Sequence, residues 1–417
     1  MKKFIQFQLS LMMFLEFFIW GGWFVTMGIY LPNSLKTSGG EIAMAYSTQS
    51  WGAIIAPFII GLIADRFFNA ERILGVLHLI GALLMYQMAN ATDFSAFYPY
   101  VLGYMIAYMP TLALVNSVSF NQMTDPSKQF PFIRVWGTIG WIVAGLVFIS
   151  LIFNWDSPEN VAQGALKNTF FMTAIASAIL GIFSFALPKT PPKSDEKVTI
   201  SDILGLEALK LLGNKNFLVF FIASILICIP LAFYYQHAGQ YLGEIEASIR
   251  LFGKDIGPAG LMTIGQMSEV LFMLLLPWFF KRFGFKKTLL VGMIAWTVRY
   301  ALFAYGNSGE LAFMLIVGIA LHGICYDFFF VSGQIYTDSK AGEKFKSAAQ
   351  GLITLATYGL GMLVGFYVAG KITDANLIGE GQHNWNSIWI FPAVFAAAVM
   401  VLFAIFFKNE KIEYKDS

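Results

Sequence analysis

The chain has 417 residues, 57% of them hydrophobic and only 12% charged, with a formal net charge of +2. Ordinary soluble domains carry about 25% charge, so a water-soluble globule is excluded, and the near-neutral balance offers no basic patch for nucleic acid. The two cysteines, Cys228 and Cys325, lie in separate apolar runs, so they read as small packing residues rather than a disulfide framework or a metal site.

Twelve apolar runs are long enough to cross a bilayer, at about 6–31, 43–64, 72–91, 96–118, 131–153, 168–188, 217–242, 257–280, 287–305, 310–335, 347–371 and 386–407. They do not alternate as outer-membrane barrel strands would. Helices are the expected form, because lipid offers no partner to open backbone groups. The first run is too long for a signal peptide and lacks a small-residue cleavage site, so it reads as a retained span.

That first run contains "MFLEFFIWGGW". Its Glu16 stands where a carboxylate costs roughly 2.5–3.5 kcal/mol. Glu16, Trp20, Trp23 and Met27 fall at i, i+4, i+7 and i+11, which predicts one helical face. Two readings stand: a hydrogen-bonded core acid among packing aromatics, or a wall of a central cavity. "GLIADRFFNAER" follows the second run, with Asp65 and Arg66 in a basic turn. "PWFFKRFGFKK" repeats that turn after the eighth. The repeat predicts an all-α membrane protein with twelve transmembrane helices in two pseudo-symmetric six-helix bundles, 1–188 and 217–417, and a site between them. The segment 189–216 carries Pro191, Pro192 and mixed charge. Its "ISDILGLEALKLL" is amphipathic and too short to cross, so it reads as a cytoplasmic linker with an interfacial helix.

The fifth run, "PFIRVWGTIGWIVAG", places Arg134, Thr138 and Trp141 at i, i+4 and i+7. A guanidinium, a hydroxyl and an aromatic on one face suit an amphipathic ligand; the structural alternative is an arginine tying helices through carbonyls. In the eighth run Gln266 and Glu269 are one turn apart and can together donate to and accept from vicinal hydroxyls. In the ninth, Arg299 is free to snorkel or to hold Asp327 or a carbonyl. In the tenth, Asp327 stands between Tyr326 and Phe328 and ranks as the intramembrane acid least suited to a structural role. Three acids (Glu16, Glu269, Asp327) face two guanidinium groups (Arg134, Arg299), which predicts pairing with one acid left to carry a proton. His78 and His322 are weaker candidates for a proton relay, since a lone histidine in a helix is more often hydrogen-bonded packing. Gly361, Gly365 and Ala369 have the spacing that permits close helix contact.

Most lysines and arginines fall on one set of loops if the N-terminus is inside. The opposite loops hold only Lys36, Lys167, Arg250, Lys254 and Lys371. This asymmetry predicts that both termini are cytoplasmic.

"GLIADR" resembles the short cytoplasmic motif of the major facilitator superfamily, and the resemblance implies a gating role for Asp65 and Arg66. A narrower likeness runs over nearly the whole chain. "FFIWGGWFVTMGIYL", "AYMPTLALVNSVSF", "FPFIRVWGTIGW", "ISDILGLEALKLL", "IGQMSEVLFMLLLPWFF", "AWTVRYALFAYG" and "YDFFFVSGQIY" resemble the bacterial nucleoside:proton symporter family. The resemblance implies proton-coupled nucleoside uptake across the inner membrane by alternating access. It implies Arg134, Thr138, Gln266, Glu269 and Asp327 as site residues, with the acids coupling protonation to binding. Trp141 stands where the family usually has phenylalanine. Glu16 stands where glutamine is common and could add a titratable group. In the seventh run Ala232 and Tyr235 occupy places where the family offers amides, with Gln236 turned aside by about 100°, which leaves purine or pyrimidine preference open.

The residues themselves fit such a ligand. Trp20, Trp141 and Tyr326 can stack a base, Gln266 and Glu269 can bond a sugar, and no arginine cluster calls for phosphate. Proton coupling is expected of Asp327, Glu269 and Glu16. The alternative is a major facilitator carrier of a sugar or another small polar solute. No nucleophile, metal or cofactor constellation points to an enzyme. The expected partners are a nucleoside, a proton and the bilayer, with the monomer as working unit.

Overall fold

In lipid a backbone N–H or C=O must find its partner within the same segment, so each apolar run closes on itself as a helix. The computed structural model describes the backbone of residues 2–59, 68–124, 126–191, 206–379 and 381–410. Its helices are α1 (Lys3–Gly21), α2 (Met27–Ser34), α3 (Gly39–Ile59), α4 (Ala70–Asn90), α5 (Phe94–Asn121), α6 (Pro126–Ile142), α7 (Pro158–Ala162), α8 (Lys167–Ser184), α9 (Lys215–Glu244), α10 (Pro258–Phe283), α11 (Phe285–Tyr305), α12 (Ala312–Tyr326), α13 (Ser332–Thr354), α14 (Met362–Ala375) and α15 (Trp385–Phe406). Three wider π-helical stretches, Val143–Ile152, Asp327–Val331 and Leu355–Gly361, continue α6, join α12 to α13 and join α13 to α14. Among the described residues eleven helical stretches are long and apolar enough to span a membrane. The twelfth, α3, runs to the edge of the described residues. Large apolar side chains stand outward along these helices, among them Leu83, Leu274 and Ile405, as lipid-facing surfaces require.

The first run is not one helix. The pair Gly21–Gly22 ends α1, a turn covers 22–26, and α2 follows. Tyr46 of α3 fastens the break: its hydroxyl accepts from the Gly28 N–H at 2.9 Å and donates to the Phe24 carbonyl at 2.8 Å. The single face expected for Glu16, Trp20, Trp23 and Met27 is therefore interrupted. Trp20 is half-buried, whereas Trp23 is fully buried against Tyr104 and Phe170.

By contacts the chain forms two compact units, Met1–Val198 with Gln236–Thr263, and Thr199–Tyr235 with Ile264–Ser417. In the first, α1 packs on α6, α3 on α5, and α4 on both α5 and α8. The α1–α6 contact is so close that a side chain at Gly140 would meet the Phe14 carbonyl. A two-stranded hairpin, β1 (Ile249–Leu251) with β2 (Lys254–Ile256), precedes α10 and pairs Ile249 with Ile256. Beside it Asp156 is almost fully buried. Its Oδ2 accepts from the Ser150 hydroxyl at 2.8 Å and from the Ala259 N–H at 2.9 Å, and Ser150 Oγ accepts from the Gly260 N–H. An acid from the loop after α6 thus caps the N-terminus of α10. Burial raises the Asp156 carboxyl above its ordinary range, opposed by the bonds from Ser150 and Ala259.

In the second unit α11 packs on α12 and α15. The small residues of α14 do what their spacing predicts: a side chain at Gly365 would strike Ala232 and Ile229 of α9, and one at Gly361 the Ile225 carbonyl. Cys228 is a buried free thiol at this contact. Of the linker, Leu206–Gly213 is a short 3-10 helix, with Ala208 buried against Ala341, Ala349 and Leu352; residues 192–205 lie outside those described. Glu410, beyond α15, pairs with Lys340 at 2.5 Å and accepts from Asn216 at 2.6 Å and Tyr336 at 3.2 Å. Burial works against its charge, but these partners outweigh it and hold the carboxyl below its usual range.

The Asp156 tie makes a pH prediction. A folded value above the unfolded one means that the native chain binds this proton more tightly. The group's contribution to stability is then complete below the unfolded value and is lost as pH rises through the folded one. Asp156→Asn should flatten that slope, so its melting temperature in detergent falls less than the wild type's between acid and neutral pH.

Candidate functional site

Each unit holds a cluster of polar groups at membrane depth. In the first, Glu16 is fully buried. Its Oε2 lies 2.8 Å from His78 Nε2 of α4, Thr111 of α5 reaches its Oε1 at 2.6 Å, and the Tyr108 hydroxyl donates to its backbone carbonyl at 2.8 Å. His78 in turn lies 3.2 Å from Ser177 Oγ of α8 through Nδ1. The core-acid reading of Glu16 describes its surroundings. Sequence reasoning missed His78, Thr111 and Ser177 as its partners; the signal available was that each is a polar residue inside an apolar run.

One turn further along α1, Trp20 meets Tyr108 and Trp141 edge-to-face, with centroids 5.7 and 5.6 Å away. The Trp20 indole N–H is buried without a partner. On α6, Arg134 and Thr138 are half-buried, and the Arg134 guanidinium lies 4.1 Å from the Phe17 ring centre. Arg134, Thr138 and Trp141 keep the single face that their spacing predicts, since all three fall within regular α6. Gln236 on α9 is also fully buried, with neither amide atom hydrogen-bonded.

In the second unit, Gln266 and Glu269 lie on α10, Tyr326 ends α12, and Asp327 opens the π-helical stretch. Wide turns of this kind often sit at functional positions. A close contact aligns α10 with α12: a side chain at Gly323 would lie 2.5 Å from the Ser268 carbonyl carbon and 2.6 Å from the Glu269 nitrogen. The Ser268 hydroxyl donates to the Ala320 carbonyl beside it. Asp327 is fully buried, and neither carboxyl oxygen has a hydrogen-bond partner. Tyr326 hydrogen-bonds Tyr358 at 2.6 Å, and the Gln266 amide oxygen is unpartnered.

Arg299 does not hold Asp327. Its guanidinium lies 3.5 Å from the Tyr234 ring centre, and Nη1 donates to His322 Nδ1 at 3.0 Å. Nε and Nη2 have no partner. Its partners are thus an aromatic face, an imidazole nitrogen and the Cys325 sulfur, to which Nη1 also donates at 3.5 Å, and Glu16 is matched by histidine rather than by arginine. The expected pairing of acids with guanidinium groups is corrected at these positions. Asp65 and Arg66 lie outside the described residues.

These features have close counterparts. The profile of a family described as nucleoside H+ symporter matches residues 3–412. The chain belongs to the nucleoside:proton symporter family. It is 45% identical to YegT of Escherichia coli (strain K12), described provisionally as a nucleoside transporter, over 97% of this chain and 94% of that one. It is 33% identical to the xanthosine permease of the same organism, over 99% of each. A crystal structure of the nucleoside transporter NupG superposes with a TM-score of 0.84 at 31% identity, covering 97% of this chain and all of that one. The nucleoside:proton symporter described here is therefore a twelve-helix carrier of the major facilitator fold, and a transporter rather than an enzyme.

The α10–α12 contact at Gly323 offers a direct check. Gly323→Val should cost about 1–3 kcal/mol by overpacking, seen as a lower melting temperature in detergent. Gly351→Ala, inside α13 with nothing within 4 Å, should not lower it, and should raise it slightly because alanine favours a helix.

Proposed function

We propose that this symporter takes up nucleosides with protons across the bacterial inner membrane as a monomer, with both termini cytoplasmic and with 1–188 and 217–417 as the parts that move in alternating access. The observation that carries the residue assignment is Asp327, wholly buried with both carboxyl oxygens unbonded. A buried ionised carboxylate that no described residue hydrogen-bonds is expensive, so this position suits an acid that holds a proton in one state of the cycle and releases it in another. Glu269, with Gln266 one turn away on α10, links that proton to substrate if the two bond the sugar hydroxyls.

In this reading Trp20 and Trp141 stack the base and Tyr326 adds an aromatic edge, while Arg134 and Thr138 supply donors beside Trp141. The Trp20–Trp141 contact and the open amide oxygen of Gln266 support it. Asp65 and Arg66 are assigned to gating on the sequence motif alone. A proton moving with the field releases about 2.3 kcal/mol per 100 mV, enough for about fifty-fold accumulation of a neutral solute.

Proteoliposomes with and without a pH gradient test the reading. Labelled uridine or adenosine should accumulate only with the gradient, and unlabelled nucleosides should compete where simple sugars do not. Asp327→Asn should abolish gradient-driven accumulation while nucleoside binding persists. Competition by sugars alone, or undiminished gradient-driven accumulation in that variant, would overturn the corresponding assignment.

A further inference from the structure

The hydrogens around Glu16 can be counted. A hydroxyl has one hydrogen to give, a carbonyl can only accept, and an imidazole nitrogen does one or the other. Ser177 Oγ lies 2.8 Å from the His78 backbone carbonyl and 3.2 Å from His78 Nδ1. The carbonyl takes the serine hydrogen, so Nδ1 must donate and carries a hydrogen. That leaves Nε2 directed at Glu16 Oε2 across 2.8 Å. On the other side Thr111 Oγ1 is 2.6 Å from Glu16 Oε1 and 2.5 Å from the Tyr108 carbonyl. Its one hydrogen serves one of these at a time.

Two complete arrangements follow without moving a heavy atom. In both, one proton lies between His78 Nε2 and Glu16 Oε2, and in the first Thr111 donates its own hydrogen to Glu16 Oε1. In the other, Glu16 carries a hydrogen on Oε1 and donates it to Thr111, which turns its own hydrogen to the Tyr108 carbonyl. The second holds one proton more than the first. Glu16 and His78 are closed to solvent in this state, as a proton in transit must be.

The titratable and charged groups that face the couple are few. Tyr104 and Tyr108 of α5 both feel the Glu16 charge, Arg134 of α6 acts on Tyr108, and α8 contributes only the Ser177 hydroxyl. Tyr108 also connects the couple to the aromatic wall. It donates to the Glu16 backbone and meets Trp20 edge-on, and Trp20 meets Trp141. A change of proton count at Glu16 is therefore three contacts away from Trp141.

We infer that Glu16 and His78 form a second proton-binding site of the transport cycle, with the Thr111 hydroxyl as the turning donor that accommodates either proton count. The inference rests on proton-coupled nucleoside uptake but not on Asp327, which belongs to the other unit.

The test is the number of protons taken up per nucleoside by proteoliposomes loaded with a pH-sensitive dye. Glu16→Gln keeps the size and hydrogen bonding of the side chain but cannot gain a proton. It should transport with one proton fewer per nucleoside, and its steady-state accumulation should fall about tenfold for each pH unit of imposed gradient. Thr111→Val removes the one hydroxyl that can either donate to Oε1 or accept from it, so it should show the same loss, whereas Thr111→Ser should keep the full ratio. A purely structural tie would leave the ratio untouched in every variant that transports, and that result overturns the inference. Asp327→Asn in the same assay separates the two assignments. An inactive Asp327→Asn beside an unchanged ratio in Glu16→Gln tells against the Glu16–His78 site alone. An Asp327→Asn that still accumulates beside a reduced ratio in Glu16→Gln tells against Asp327 alone.

Discussion

A polar group at membrane depth has no water to fall back on, and this constraint orders the structure. Each such group must be bonded by its own helix or by a neighbour, or else be left for a ligand or a proton. Most hydroxyls here take the first route, as Thr173, Ser184 and Thr373 do by bonding carbonyls one turn back. Glu16 takes the second, through His78 and Thr111. Asp327, Gln236 and the amide oxygen of Gln266 take neither.

The same constraint explains what could be read in the sequence. Span positions depend on composition over about twenty residues, and the structure places α4, α5, α8, α9, α11 and α15 close to the runs expected of them. The face carrying Arg134, Thr138 and Trp141 was legible because helical geometry is local. So was the contact at Gly361 and Gly365, where small residues at fixed spacing meet α9.

Partners across helices were not legible. Nothing local to Glu16 points to a histidine in the third apolar run, a threonine in the fourth and a serine in the sixth, because those meetings are fixed by packing between distant segments. Counting acids against arginines pointed to ion pairs, yet a guanidinium has a flat apolar face that also stacks on rings. Phe17 and Tyr234 supply the faces for Arg134 and Arg299. The break after Gly22 was signalled by two adjacent glycines but masked by the apolar residues on both sides, and it needs Tyr46 from another helix to hold it.

The π-helical stretches have a mechanical consequence. Each turn of such a stretch holds an extra residue compared with its α-helical neighbours. Tightening one to ordinary pitch would advance everything beyond it around the axis, as a screw advances in its thread. Val143–Ile152 begins just after Trp141 and itself contains Ser150 of the Ser150–Asp156 tie, and Asp327–Val331 begins at the buried acid itself. A carrier built this way can re-aim a side chain by changing helical phase, with no hinge and no bend.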